Sequence, residues 1–309
     1  VVDIEAEEES SFIIDAKLIS KVVKSLPEGE IEINYNGNTV EIKANKSRFN
    51  LNTIRGDEFP DFQPASDTGY KVTLSVNKIK NMIDKVIFCA ATDKYMRNLN
   101  GVLWQFNGPN LRLVAADGFK LGYIDREIES DEEFSFLLSL KSMKELQKIL
   151  DSCDYYITVV FDGAKVGFQS DNTQVIVRVI EAEFPDYEKV IPTKYKTQVI
   201  VNKYGLLEAI KRAAITARLS DERVEFKIFD NILHIESKSQ DYGEAHEELE
   251  IQKFGEDIAI AFNPRFITEA VQQIEGEDVE LTFIDPTKPV QINSLIDPRY
   301  LYVVMPLRK

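Results

Sequence analysis

Histidine and cysteine are scarce in this chain: 309 residues hold two of each, and a single tryptophan. Two cysteines, Cys89 and Cys153, are too few for a disulfide framework. Each sits in an apolar stretch, which predicts buried free thiols in a reducing, cytoplasmic compartment. His234 falls in an alternating strand pattern and His246 in an acidic loop, with no ligand cluster near either in the sequence. No metal and no cofactor is therefore expected. No apolar run approaches the roughly 18–20 residues that span a bilayer, so no membrane partner is expected either. The opening VVDIEAEEESS is acidic and does not read as a secretory signal. Catalytic motifs are missing: there is no G-x-G-x-x-G, no P-loop and no G-x-S-x-G. Acidic pairs such as Asp57–Glu58 and Glu247–Glu248 read as solvated surface. A non-enzymatic protein is the expectation, and a nucleic-acid-processing enzyme with a cryptic site is the alternative. Positive charge is also short, with 37 Lys and Arg against 52 Asp and Glu and a net charge of −15. Taken whole, that balance argues against nucleic acid as a partner.

What the chain does have is repetition. Glu-Phe-Pro-Asp-aromatic occurs twice, in GDEFPDF at 56–62 and in EAEFPDYEKVIP at 181–192. Three helix-like segments, at 12–26, 136–150 and 260–274, follow each other at a spacing of 124 residues. Asp15, Ser139 and Asn263 fall in register in them, and all three are strong helix N-cap types. Pro264 then occupies the first helical position, where its missing N–H costs nothing. Apolar residues follow at helical spacing, and an alternating strand comes after each helix. A second helix type, at 75–92 and 202–218, lies between them, capped by Ser75 and Asn202. The sequence thus predicts an α+β fold of repeated modules, each an antiparallel sheet with helices on one face. The boundaries read as 1–67, 68–192 and 193–309. The first module has the length of a half-module, which reads as an N-terminal truncation or as a natural half-module.

The charge is segregated by element. The five helical segments, at 13–26, 76–93, 139–150, 202–218 and 263–275, carry fourteen Lys and Arg against seven Asp and Glu. The rest of the chain is correspondingly more acidic. Lysines on one helix are an ordinary solvated face. Four helices of a repeat with the same sign suggest instead a shared basic surface that tracks phosphates without reading bases.

Six stretches carry a resemblance to a known family: SRFNLNTIRGDEFPDF, RNLNGVLWQF, LRLVAADGFKLGY, EAEFPDYEKVIP, IAFNPRFI and YLYVVMPLRK. In this order they resemble the bacterial DNA polymerase III β subunit family, the sliding clamps. The resemblance implies a DNA-clamp fold that forms a ring as a head-to-tail homodimer. It implies a processivity factor that encircles duplex DNA and tethers polymerase subunits, the clamp loader and repair proteins, and that would be cytoplasmic and nucleoid-associated. A partner-peptide pocket would comprise Leu99, Ala116, Gly118, Phe119, Lys120, Leu121, Pro185, Lys189, Val190, Val303, Val304, Met305, Pro306, Leu307 and Arg308. The alternative for its apolar members is ordinary core. The sequence departs from common family patterns at Ala116, Phe119, Lys120 and Lys309, which touches the pocket's polar rim. DNA would be met by Lys17, Lys21, Lys24, Lys78, Lys85, Lys141, Lys144, Lys148, Lys203, Lys211 and Arg212 on the helices. Lys94, Tyr95 and Arg97 on an inner loop would join them. The ring interface would use Phe49 and Leu51 of one protomer, which alternatively belong to the module core, and Ile215 and Thr216 of the next. A monomeric partner-binding fragment that closes no ring is a further reading.

Overall fold

The computed structural model describes residues 4–6, 9–56, 69–93, 95–170, 173–217 and 222–308. The first FPD segment, Lys94, Arg218 and Lys309 lie outside the described residues. The chain divides into two compact units, residues 1–64 and 65–309.

The first unit holds β1 (Phe12–Ile13), α1 (Ala16–Ser25), β2 (Glu32–Tyr35), β3 (Thr39–Ala44), β4 (Ser47–Asn52) and β5 (Ile54–Arg55). Strands β2, β3 and β4 form an antiparallel sheet, and β1 pairs with β5. Asp15 caps α1, its carboxylate accepting the Leu18 N–H at 2.7 Å. The small core is Val22 of the helix against Val40 and Ile42 of β3. Phe49 and Leu51 pack against that core.

The second unit begins with β6 (Tyr70–Ser75), α2 (Val76–Val86), β7 (Gly101–Asn107), β8 (Asn110–Ala116) and β9 (Lys120–Glu127). It continues with β10 (Glu133–Ser139), α3 (Leu140–Leu150), β11 (Tyr156–Phe161), β12 (Lys165–Ser170) and β13 (Thr173–Arg178). The same order then recurs as β14 (Thr197–Asn202), α4 (Lys203–Ala217), β15 (Val224–Phe229), β16 (Ile232–Ser239) and β17 (Gly243–Glu250). After a short β18 (Gln252–Gly255) come β19 (Ile258–Phe262), α5 (Pro264–Gln273), β20 (Asp278–Phe283), β21 (Val290–Ser294) and β22 (Tyr300–Val304). No described helix is long and apolar enough to cross a membrane.

Most of the expected caps are made. Ser139 Oγ accepts the Ser142 N–H at 3.0 Å, Asn263 Oδ1 that of Arg265 at 2.9 Å, and Asn202 Oδ1 that of Gly205 at 3.0 Å. Ser75 stands at the N-cap without a side-chain bond, and the Val76 N–H is satisfied by the Tyr155 carbonyl at 3.0 Å. The helices bury one stripe each. Ile79, Met82, Ile83 and Val86 of α2 are fully buried, as are Leu206, Ala209, Ile210 and Ala213 of α4. An aromatic group built on Trp104, Phe106, Phe134 and Phe136 fills the second module, the Phe106 and Phe134 rings stacking at 4.2 Å. Cys89 is fully buried as expected, whereas Cys153 is half-buried because it lies in the turn that closes α3.

Strand β9 of the second module pairs antiparallel with β22 of the third, from Tyr300 opposite Ile124 to Val304 opposite Lys120. The two modules therefore share a nine-stranded sheet, in the order β10-β7-β8-β9-β22-β21-β20-β14-β18. Each module adds a four-stranded sheet of its own.

Candidate functional site

The β9–β22 seam divides the expected pocket residues between two faces, because successive strand residues point to opposite sides. Leu121 faces Val303 across the seam. On the outer side they join Leu103, Val114, Leu137 and Tyr187 in a cluster separate from the main core, bordered by Ala116. Val304 and Lys120 point the other way. Val304 is fully buried in the main core. Lys120 is turned in toward α5, its Nζ 2.5 Å from Glu269 Oε2 and above the Phe88 and Phe266 rings at 5.5 and 5.2 Å. Both pack on the helix side of the sheet, opposite the cluster that holds Leu121 and Val303, and the expectation that they line the same surface is corrected by the pleat.

The hairpin between β8 and β9 shapes one end of the outer face. Asp117 Oδ1 accepts the N–H groups of Phe119 and Lys120 at 2.9 Å each. Gly118 takes a φ of +88°, which L side chains rarely adopt. The turn leaves Phe119 60% exposed. The tail after β22 runs beside it: the Met305 N–H donates to the Phe119 carbonyl, and that of Leu307 to the Ala261 carbonyl, both at 2.8 Å. Met305, Pro306 and Leu307 are half-buried and Arg308 is exposed.

The second FPD segment clips onto the same face. Tyr187 is buried in the outer cluster with Phe184 beside it, and its hydroxyl donates to Gln105 Oε1 at 2.7 Å. Pro185, Lys189 and Val190 remain exposed, and Lys189 pairs with Asp186 at 2.8 Å. Leu99 is half-buried in the loop after α2, its N–H donating to the Met96 carbonyl at 2.9 Å, and lies outside the outer cluster.

The sequence reading missed the other end of this face, where a cleft of about 570 Å³ opens among Arg112, Tyr123, Asp125, Ile191 and Leu301. Arg112 Nε donates to Asp125 Oδ2 at 2.8 Å, a bond that raises the guanidinium's already high pKa further. Burial, with Asp125 nearby, pushes the Tyr123 phenol up to about 12. The signal for these residues was period two: Tyr123 and Asp125 follow Leu121, and Leu301 precedes Val303.

The expected DNA contacts also divide. Lys17, Lys21 and Lys24 of α1 and Lys141 and Lys144 of α3 are exposed, with no acidic partner in reach among the described residues. Lys148 and Lys211 are exposed and pair with helix neighbours, Glu145 at 2.9 Å and Glu208 at 3.5 Å. Lys78 donates to the Glu127 carbonyl at 2.6 Å, and Arg212 grips Glu247 with two bonds of 2.8 and 2.5 Å. Tyr95 is 95% exposed and Arg97 exposed, on a loop turned by Asp93. Two lysines are corrected. Lys85 is 3% exposed, and its Nζ meets Glu275 at 2.7 Å and Asp297 at 3.3 Å over the Tyr300 ring. It joins the two modules and does not face out. Lys203 donates to the Ile274 and Gln272 carbonyls at 2.5 and 3.4 Å, covering the bare C-terminus of α5.

Of the expected interface residues, Ile215 is 64% exposed. Thr216 turns inward, bonding the Ala213 carbonyl at 3.2 Å and the Ser237 hydroxyl. Phe49 and Leu51 contribute to the first unit's own core, which leaves only part of each for a partner. The histidines differ most from expectation. Residues 243–250 form a strand, not a loop, and its pairing with β16 brings His246 and His234 to the same carboxylate, Glu248.

Sequence comparison accounts for nearly the whole chain. Residues 1–63, 73–186 and 188–308 match the N-terminal, central and C-terminal domains of the DNA polymerase III beta subunit. The beta sliding clamp of Bacillus subtilis is 28% identical over 309 residues, covering 98% of this chain and 81% of that protein. The crystal structure of DNA polymerase III beta subunit from Thermotoga maritima superposes with a TM-score of 0.92 at 44% identity, covering 99% of this chain and 83% of the other. A sliding clamp from Pseudomonas aeruginosa bound to griselimycin superposes with a TM-score of 0.88 at 26% identity, covering 95% and 80%. With an outer apolar seam between two repeated modules and with these matches along its length, the chain belongs to the DNA polymerase III beta subunit family, the sliding clamps.

Proposed function

We propose that the chain acts as a processivity clamp whose outer seam at β9 and β22 captures a short apolar peptide from DNA polymerase subunits and other replication partners, and that it catalyses nothing itself. The observation that carries this is the Leu121–Val303 pair. It is the centre of an apolar cluster on the side of the sheet away from the helices, 4% and 1% exposed, reached past the turn and tail where the exposed Phe119 and the half-buried Met305 are hydrogen-bonded backbone to backbone. A flexible Met beside an apolar floor suits a partner surface that accepts several sequences. The griselimycin-bound relative supports a ligand-binding role for this fold. The test is fluorescence anisotropy of a labelled Gln-Leu-Ser-Leu-Phe peptide. Binding in the micromolar range is expected, weakened about tenfold, or roughly 1.4 kcal/mol, in Met305→Ala. Equal affinity in Met305→Ala and Phe119→Ala, with folding intact by circular dichroism, would place the peptide elsewhere.

The exposed lysines of α1 and α3 give the second part of the reading, sequence-independent contact with duplex DNA as a homodimeric ring. Short linear duplex should bind weakly, with affinity falling steeply as salt rises, because each phosphate contact releases a counterion. A closed ring should stay on circular DNA and leave after linearisation, and its mass should be twice the 35.3 kDa of the chain. Equal retention on both DNA forms would count against encirclement.

A further inference from the structure

We propose that the outer face of β16 and β17 is a binding site for a divalent transition-metal cation of the Zn²⁺ type, with His234, His246 and Glu248 as ligands. Antiparallel pairing sets His234 opposite Glu248 and Glu236 opposite His246. Alternation puts all four on the side of the strands that is not buried. The chain's only two histidines are therefore diagonal neighbours around one carboxylate.

The distances suit a shared ion. His234 Nδ1 lies 3.3 Å and His246 Nε2 2.9 Å from the same oxygen, Glu248 Oε1. One ligand atom from each residue falls within 4.8 Å of both others. Metal–ligand bonds of about 2.0–2.2 Å place neighbouring donors of a tetrahedral ion roughly 3.3 Å apart. Small side-chain adjustments would close the triangle. Two imidazoles and a carboxylate select a borderline cation over Mg²⁺ or Ca²⁺, which prefer oxygen. Three protein ligands leave a fourth position for water or a group from another molecule.

A polar second contact orients His246 as a metal-bound histidine requires, and a ring contact steadies His234. The other nitrogen of His246, Nδ1, lies 3.5 Å from Glu236 Oε1, so a hydrogen there would leave Nε2 free for the ion. Glu236 is itself held by Lys227. The His234 ring stacks on Phe229 at 4.6 Å. Lys227 and Lys238 oppose a cation on this face, but five Glu side chains of the three outer strand faces outnumber them.

With two histidines in the chain, imidazole NMR signals report the site directly. The half-buried Cys153 is a competing zinc ligand, so the titration uses the full chain carrying Cys153→Ser. Both imidazoles should shift together with Zn²⁺ and saturate at one equivalent, and Mg²⁺ should leave them unmoved. His246→Ala should remove the response of His234, and Glu236→Gln should weaken binding about tenfold with both imidazoles still shifting. The proposal is overturned if neither imidazole moves at ~100 µM Zn²⁺, if His234 responds alike with and without His246, or if Glu248→Gln binds as tightly as the unaltered chain. Any of these results would make the cluster an ion-pair network only.

Discussion

Asp297→Ala is expected to destabilise the joined second and third modules by about 3 kcal/mol, the scale for breaking a buried ion pair. The Asp297 carboxylate is 16% exposed and serves two cations. Arg126 reaches it with Nη1–Oδ1 at 3.1 Å and Nη2–Oδ2 at 2.5 Å, and Lys85 with 3.3 Å. Alanine would leave Lys85, whose side chain is 4% exposed, with Glu275 alone, itself 55% exposed to water. Lys85→Met should cost less, since it removes the buried charge and leaves the Arg126–Asp297 pair in place. Urea unfolding distinguishes the two: the midpoint should fall further in Asp297→Ala, at unchanged slope. Acid offers an independent check. Burial raises the Asp297 pKa, but the Arg126 hydrogen bonds and charge, with Lys85, outweigh it and hold the carboxyl below the usual range. A lowered folded-state pKa adds stability that is complete above the unfolded value of about 3.9 and is lost as pH falls through the folded value. The gap between the unaltered chain and Asp297→Ala should therefore narrow below about pH 4. A gap that stays constant to pH 2 would deny Asp297 this role.

Gly122→Val should cost about 3 kcal/mol, at the top of the usual range for overpacking. A Cβ at Gly122 would meet Cys89 Sγ at 2.7 Å, Val86 Cα at 3.3 Å and the Lys85 carbonyl at 3.4 Å. Two of those three atoms are backbone at the end of α2, so the helix would have to lift from β9. Gly122→Ala should fall between. Because Gly122 sits between Leu121 and Tyr123, the outer face should tilt as well, and peptide affinity should drop in parallel with the thermal midpoint. A valine variant as stable as the unaltered chain would show that α2 has room to move.

The modules were legible because their signals are local. A cap residue, an apolar stripe and an alternating strand recur at fixed spacing, and Asp15, Ser139 and Asn263 all do what their residue types suggest. What the sequence hid depends on pairing between distant strands. Adjacent Val303 and Val304 look equivalent in the sequence, and strand alternation with the β9 pairing sends one into the outer cluster and one into the main core. Lys85 carries the same helix spacing as a solvated lysine, yet acids from α5's end and the β21–β22 turn meet it. The histidine pair was invisible for the same reason: a twelve-residue separation becomes contact only through the β16–β17 hairpin. Conversely, Lys141 and Lys144 read the same in sequence and structure, since nothing acidic folds back onto them among the described residues.

The β9–β22 seam also sets an order of events during synthesis. Strand β9 is made with the second module, next to β8, but its second neighbour in the sheet, β22, is made after nearly all of the third. Domains tend to fold as units as they emerge, N-terminal first. Throughout translation of the third module, then, β9 is paired with β8 on one side only, and the backbone donors and acceptors of its other edge are open, a template for pairing with the wrong chain. On a polysome, neighbouring nascent chains would carry that same edge at high local concentration. Growth of the chain thus leaves the second module incomplete until β22 docks, and that docking covers the edge and creates the Leu121–Val303 floor in a single step.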